Sequence, residues 1–179
     1  MLWVKRLIIH TGIMVLLASI VLMSPAAAKT KDLLVIYEKP ETLEIATFSD
    51  AKLAPVSFPP KIEGLSIVHL WATWCAPCVK ELPELDAFAK KHKALIEVYP
   101  VALDGKNVKK VQDFYKEHGI HNLSVYMDST MQLSRSVKSK ALPTTLFLNG
   151  NGELIARADG PLDWQSERLL QFIASHIPQ

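Results

Sequence analysis

Cysteine is nearly absent from this chain: there are two in 179 residues. No second C-x-x-C and no H-x-x-x-H accompanies them, so the four-ligand sets that build structural zinc sites are missing. Charge of one sign is not concentrated anywhere. Lysine plus arginine number 20 and aspartate plus glutamate 18. There is no basic patch to argue for nucleic acid, no acidic tail and no calcium-loop pattern. Internal repeats and low-complexity tracts are also lacking, and the length suits one domain with room for a real core.

What is there is concentrated in Trp74-Cys75-Ala76-Pro77-Cys78, which holds both cysteines. The thiols sit one helical turn apart if a helix starts here, just after the strand-like run Leu65 to Ala72. A bridge across so short a loop barely constrains the unfolded chain, so the pair is a poor structural staple. No third thiol is present to be captured during exchange. The spacing therefore points to a reversible dithiol/disulfide couple. That couple, Cys75 with Cys78, is the redox group; no metal site and no other cofactor is expected.

The N-terminal residues read as a targeting segment. Lys5 and Arg6 are followed by Ile13 to Met23, apolar apart from Ser19, then by Ser24-Pro25 and Ala26-Ala27-Ala28. That is the layout of a secretory signal cleaved after Ala28. The alternative is an uncleaved anchor, because the apolar stretch counted from Leu7 nearly reaches the roughly 20 residues of a membrane span. His10, Thr11 and Gly12 interrupt it. Cleavage removes Lys5 and Arg6 from the 20 basic residues and leaves the rest balanced by the 18 acidic ones. Export places the thiols in a disulfide-permissive, periplasmic compartment. The expected division is residues 1–28 as signal, 29–60 as an extended segment packing on the domain, and 61–179 as the domain.

Within residues 29–60, Leu33 to Tyr37 and Leu43 to Phe48 look like short strands or extended arms, while Pro55, Pro59 and Pro60 exclude a continuous helix or a central strand. The pattern then sharpens. A buried strand over 65–72 precedes a helix over Ala76 to Lys91, in which Leu82, Leu85, Phe88 and Ala89 recur at helical spacing and Pro83 should introduce a bend. A second buried strand spans Leu95 to Leu103. An amphipathic helix runs from Asn107 to His118 and closes at Gly119. A short extended run at Val125 to Met127 and a short helix at Met131 to Val137 follow. Thr144 to Leu148 and Leu154 to Ala158 flank Asn149-Gly150-Asn151-Gly152, a hairpin signal. Asp163 or Ser166 caps a last helix reaching about His176. Strands joined through a helix should be parallel and the hairpin antiparallel, which gives a mixed sheet with helices on both faces.

Trp71 to Cys78 followed by Glu81-Leu82-Pro83 resembles the thioredoxin superfamily, and specifically its exported TlpA/ResA/DsbE-like thiol–disulfide oxidoreductases. Leu142-Pro143-Thr144-Thr145-Leu146-Phe147-Leu148 is similar to that family's cis-proline segment, and Gly160-Pro161-Leu162-Asp163-Trp164 to the segment before its final helix. The likeness covers roughly residues 62 to 179. It implies an α/β, thioredoxin-like fold with a mixed central sheet flanked by helices on both faces.

At the mouth of the 76–91 helix, unpaired N–H groups and the helix dipole favour a negative sulfur, so Cys75 should be the attacking thiolate and Cys78, one turn in, the resolving thiol. Pro77 suits the first turn, Ala76-Pro77 helps set the potential, and both residues are expected to contact the substrate together with Trp74 and Leu142. The resemblance implies that Pro143 is cis beside the cysteines, with the backbone of Leu142 free to pair with an extended substrate segment; an ordinary trans loop proline is the alternative. It also implies that Glu81 tunes the thiols, whereas a solvated helix carboxylate is the bland reading. His69 departs from the family, whose members place an aspartate or asparagine there. It is either a proton acceptor for Cys78 or, the reading preferred here, a neutral core histidine bonded to backbone. Trp71 reads as core and Trp74 as site rim, offering an apolar contact to partners. His92, His118, His121 and His176 receive no role.

The leading functional expectation is an exported reductase that draws electrons from a membrane thiol donor of the DsbD/CcdA type and passes them to oxidised client proteins. By resemblance only, those clients are apocytochrome c or a copper-site assembly protein. A disulfide-donating oxidase on the same fold and a Cu(I)-binding metallochaperone are the alternatives; the missing long helical insertion argues against the first and the tight cysteine spacing against the second. No nucleic acid is expected, and oligomeric state is left open.

Overall fold

Seven consecutive buried residues, Leu65 to Trp71, form the central strand of the protein. A strand without polar alternation has to be covered on both faces, and the fold is built around that demand. The computed structural model describes residues 33–44, 46–59 and 63–177. In chain order the elements are β1 (Val35–Glu41), β2 (Ala46–Asp50), β3 (Pro55–Phe58), β4 (Leu65–Trp71), α1 (Ala76–His92), β5 (Ile96–Ala102), α2 (Val108–Glu117), β6 (Tyr126–Met127), α3 (Gln132–Ser136), β7 (Thr144–Leu148), β8 (Leu154–Asp159) and α4 (Glu167–Ala174).

One mixed sheet contains every strand of the described residues, in the order β1-β8-β7-β4-β5-β6-β2-β3. Strand β4 is parallel to β5 and antiparallel to β7, and β7 is antiparallel to β8. The steps β4-α1-β5 and β5-α2-β6 move in one direction across the sheet, so right-handed crossovers put both helices on the same face. Alternation along β4 then sorts the core. Leu65, Ile67 and Trp71 pack with Leu82, Leu85 and Phe88 of α1, Val111 and Phe114 of α2, and Phe172 of α4. Val68 and Leu70 face the opposite way, against Phe48, Phe58, Leu133 and Val137. Each such side chain contributes about 1.5–3 kcal/mol on burial. The result is the expected mixed sheet with helices on both faces.

The described residues before 65 add strands to the sheet. Strand β1 pairs with β8 at one edge of the sheet, and the β2–β3 hairpin pairs through β2 with β6 at the other. Strand β3 was not expected from the sequence. Its proline is accommodated because it is the terminal strand: Pro55 opens it, where a missing N–H costs no ladder bond to a further neighbour. Helix α4 starts after Ser166 and ends at Ala174, short of the expected His176. Asp163 instead accepts from Gln165 N at 2.9 Å. Three of the histidines given no role share one local design. His92, His118 and His176 each pack their ring against a phenylalanine four residues earlier, at 4.4, 3.9 and 4.4 Å between ring centroids, stacked for His118 and tilted for the other two. For His118 and His176 the Nδ1 also lies 3.0 and 2.7 Å from that phenylalanine's carbonyl, which can only accept, so Nδ1 carries the proton. The proposed signal and its anchor alternative lie outside the described residues. Among the described residues, no helix is long and apolar enough to cross a membrane.

Candidate active site

The β4–α1 junction puts both sulfurs at the end of the central strand. Cys75 is the N-cap of α1, with φ −90° and ψ 100°, and Pro77 lies in the first turn. The Cys75 Sγ accepts from the backbone N–H of Cys78 at 3.3 Å, so one of the otherwise unpaired N-terminal donors of the helix points at this sulfur. The two cysteines are bonded to one another in this structure. Cys78 is fully buried, whereas Cys75 keeps 6% exposure, so a partner arriving from solvent meets Cys75 first. Trp74 next to it is 65% exposed and forms one wall of a cleft of about 490 Å³ with Thr73, Asn107, Lys110 and Phe114.

The parallel pairing of β4 with β5 aligns their C-terminal ends and brings Asp104 beside the motif. Its carboxylate accepts from Thr73 N at 2.9 Å, Thr73 Oγ1 at 2.5 Å and Lys110 Nζ at 2.8 Å. These three donors hold the Asp104 carboxyl below its ordinary range despite burial, which pushes the other way. Asp104 was not singled out from the sequence. A carboxylate just past the end of a central parallel strand, level with a motif on the neighbouring strand, is the signal that could have found it.

Antiparallel register delivers the second element. Leu70 lies opposite Thr144 and His69 opposite Thr145, which carries Leu142 and Pro143 alongside Trp71 and the loop that follows it. The Leu142–Pro143 bond is cis. Pro143 O accepts from Gly160 N at 2.7 Å, and Thr144 Oγ1 donates to Ala141 O at 2.6 Å.

Glu81, one helical turn past Cys78, points inward rather than to solvent and is only 4% exposed. The solvated-carboxylate reading does not hold. Trp164 Nε1 donates to Glu81 Oε1 at 2.7 Å, while Oε2 has no hydrogen-bond partner among the described residues. Burial pushes the carboxyl up to about 7, against the opposing effects of the Trp164 and Leu162 hydrogen bonds, and nearby Glu84 adds to the rise. A group poised there can hold or release a proton at neutral pH. Glu81, Lys80, Pro77, Pro161 and Leu162 line a cleft of about 460 Å³.

His69 lies on the same face of β4, fully buried. Its Nδ1 is 3.0 Å from Thr145 Oγ1, so its partner is a side-chain hydroxyl and not the backbone expected. Its ring meets Trp164 edge-on at 6.2 Å. Burial pushes the imidazole down to about 3, which keeps it neutral at neutral pH and makes it a weak proton acceptor for Cys78. The structure thus gathers Cys75, Ala76, Pro77, Cys78 and Glu81 on one helix end, with Leu142 and Pro143 beside them, His69 beneath and Trp74 outside. The sequence reading missed Thr145, Asp104 and the hydrogen-bonding role of Trp164.

Comparison with known proteins agrees with this geometry. A family model described as the AhpC/TSA family matches residues 43–157. Sporulation thiol-disulfide oxidoreductase A of Bacillus subtilis is 27% identical over 162 residues, covering 88% of this chain and 92% of the relative. Thiol-disulfide oxidoreductase ResA of Oceanobacillus iheyensis is 31% identical over 120 residues, covering 66% of this chain and 60% of the relative. Among solved structures, StoA of Bacillus subtilis superposes with a TM-score of 0.60 at 27% identity, covering 74% of this chain and 98% of that one. A DsbF homologue from Corynebacterium diphtheriae shares the fold, with a TM-score of 0.65 at 21% identity, covering 83% and 96%.

Proposed function

Because the chain belongs to the AhpC/TSA family and is a thiol–disulfide oxidoreductase of the ResA/StoA/DsbE type, we propose that it works as an exported reductase of specific protein disulfides. The observation that carries the chemistry is the position of Cys75, capping α1 with a backbone N–H directed at its sulfur. In the reduced protein that donor and the helix dipole stabilise the Cys75 thiolate. The thiolate attacks one sulfur of a client disulfide. A Cys75–client bond forms, the client S–S bond breaks and the released client sulfur takes up a proton. Cys78 then gives up its proton, attacks Cys75 and expels the second client thiol. Two electrons pass to the client and the Cys75–Cys78 disulfide remains.

Glu81 receives the proton leaving Cys78. Its buried carboxylate also repels a neighbouring thiolate, which destabilises the reduced form and makes the couple more reducing. That effect supports the reductase direction over disulfide donation. The backbone of Leu142 next to cis-Pro143 offers an extended client segment a place to pair, while Trp74 offers an apolar contact. A membrane thiol donor of the DsbD/CcdA type would return the pair to the dithiol form, and clients in cytochrome c or metal-site maturation fit the resemblance.

Trapping tests the proposal. Cys78→Ser removes the resolving thiol, so clients should accumulate as mixed disulfides on Cys75, in a form that dithiothreitol releases. Equilibration of the wild-type pair with glutathione buffers should leave it oxidised except under strongly reducing conditions. A potential near that of disulfide donors would reverse the direction proposed, and tight one-to-one Cu(I) binding without turnover would replace it with a carrier role.

A further inference from the structure

We propose that Trp164 is a positioning residue of the redox site, holding the Glu81 carboxyl beside Cys78 from a loop whose other end is bonded to the cis-Pro143 turn. The proposal rests on the reading that Cys75 and Cys78 cycle with Glu81 in the proton path.

Residues 160–164 connect β8 to the approach of α4 and touch the site twice. At the first contact, Gly160 N donates to Pro143 O at 2.7 Å. Gly160 has φ +126°, and a Cβ there would lie 2.5 Å from Leu33 Cδ1, so this end is fitted to its place by glycine. At the second contact, Trp164 Nε1 meets Glu81 Oε1 at 2.7 Å, and Leu162 adds a backbone hydrogen bond to the same carboxyl. Trp164 is 1% exposed. Its ring is held among His69 at 6.2 Å, Phe88 at 5.1 Å and Phe147 at 6.4 Å, which leaves the indole little freedom to turn. Among the described residues Oε2 has no hydrogen-bond partner, so the loop supplies the polar contacts seen on Glu81. A donor aimed at a buried carboxylate favours its charged form. Client docking at Leu142–Pro143 and proton handling at Glu81 are thereby joined through one short loop.

The test reads Trp164 directly. The indole Hε1 resonance of wild-type protein, followed by NMR over roughly pH 5 to 9, should shift with a midpoint near that of Glu81, and Glu81→Gln should abolish the shift. Trp164→Phe removes the donor and keeps an aromatic ring. It should move the Glu81-linked inflection in the rate of Cys75 alkylation upward by about one pH unit, and it should add nothing in the Glu81→Gln background. An indole resonance that ignores Glu81, or a Trp164→Phe effect that persists undiminished in Glu81→Gln, would overturn the proposal. If Trp164→Phe fails to fold, the indole titration of the other two proteins decides. Should Cys75 ionise easily and the pair still cycle while the indole stays indifferent, only the role of Trp164 falls. Peptide-like reactivity of both thiols would instead remove the reading beneath it.

Discussion

Glu81→Gln should reveal a pH dependence of stability that the wild-type protein hides. Two buried groups on either side of Trp164 titrate in opposite senses. The Glu81 carboxyl rises from 4.5 to about 7 on folding, and the His69 imidazole falls from 6.5 to about 3. Between pH 4.5 and 7 the folded state therefore holds a proton on Glu81 that the unfolded state lacks, and stability from this group is lost as pH rises through 7. Between pH 3 and 6.5 the unfolded state binds a proton on His69 that the folded state refuses, so stability is lost as pH falls toward 3. Each slope is about 1.4 kcal/mol per pH unit when fully developed. In the window they share, pH 4.5 to 6.5, the two oppose and nearly cancel. Removing Glu81 leaves His69 unopposed, and the variant should lose about 3 kcal/mol more than wild type as pH falls across that window; His92, also lowered by burial, adds the same slope to both proteins and drops out of the comparison. His69→Gln should do the reverse and gain stability toward acid. Asp104 and Asp159 are held below their ordinary 3.8 by hydrogen bonds and a nearby cation, so they stay ionised in both states across most of the window. Urea unfolding of the oxidised proteins at half-unit steps measures the effect, with each variant compared with wild type at the same pH. A Glu81→Gln curve running parallel to wild type between pH 4.5 and 6.5 would refute the opposition of these two groups.

Two further outcomes follow from the backbone and the loop around the motif. Gly64 has φ +109°, and a Cβ there would sit 2.7 Å from the carbonyl oxygen of Leu95, where the starts of β4 and β5 meet. Gly64→Ala should cost about 1–3 kcal/mol, seen as a lowered Tm; an unchanged Tm would show that this approach is not tight. Asp104→Ala frees Thr73 N and Oγ1 and Lys110 together. It should destabilise by about 2 kcal/mol and speed amide exchange at Thr73, with Asp104→Asn recovering part of the loss; protection at Thr73 as strong as in wild type would contradict the role given to this carboxylate.

Much of the protein is written in local patterns, and those patterns are read without knowing what lies across the fold. The spacing of Cys75 and Cys78, the apolar run of β4, the spacing of Leu82, Leu85 and Phe88 in α1 and the Asn-Gly repeat between β7 and β8 each act within a few residues. By themselves they determined a dithiol at a helix N-terminus, a buried central strand and a closing hairpin, and family likeness added the cis-proline. What neighbours those residues have was decided only by tertiary structure. Glu81 meets Trp164 across 83 residues of sequence and His69 meets Thr145 across 76. No periodicity encodes such pairs, because they depend on which strand lies beside which. The same holds for the placement of β1 and the β2–β3 hairpin at opposite edges of the sheet, where prolines that argue against a strand can be tolerated. The reactive sulfur is thus a local invention of the sequence, and the protonation of the groups beneath it is set by the surroundings that folding brings to them.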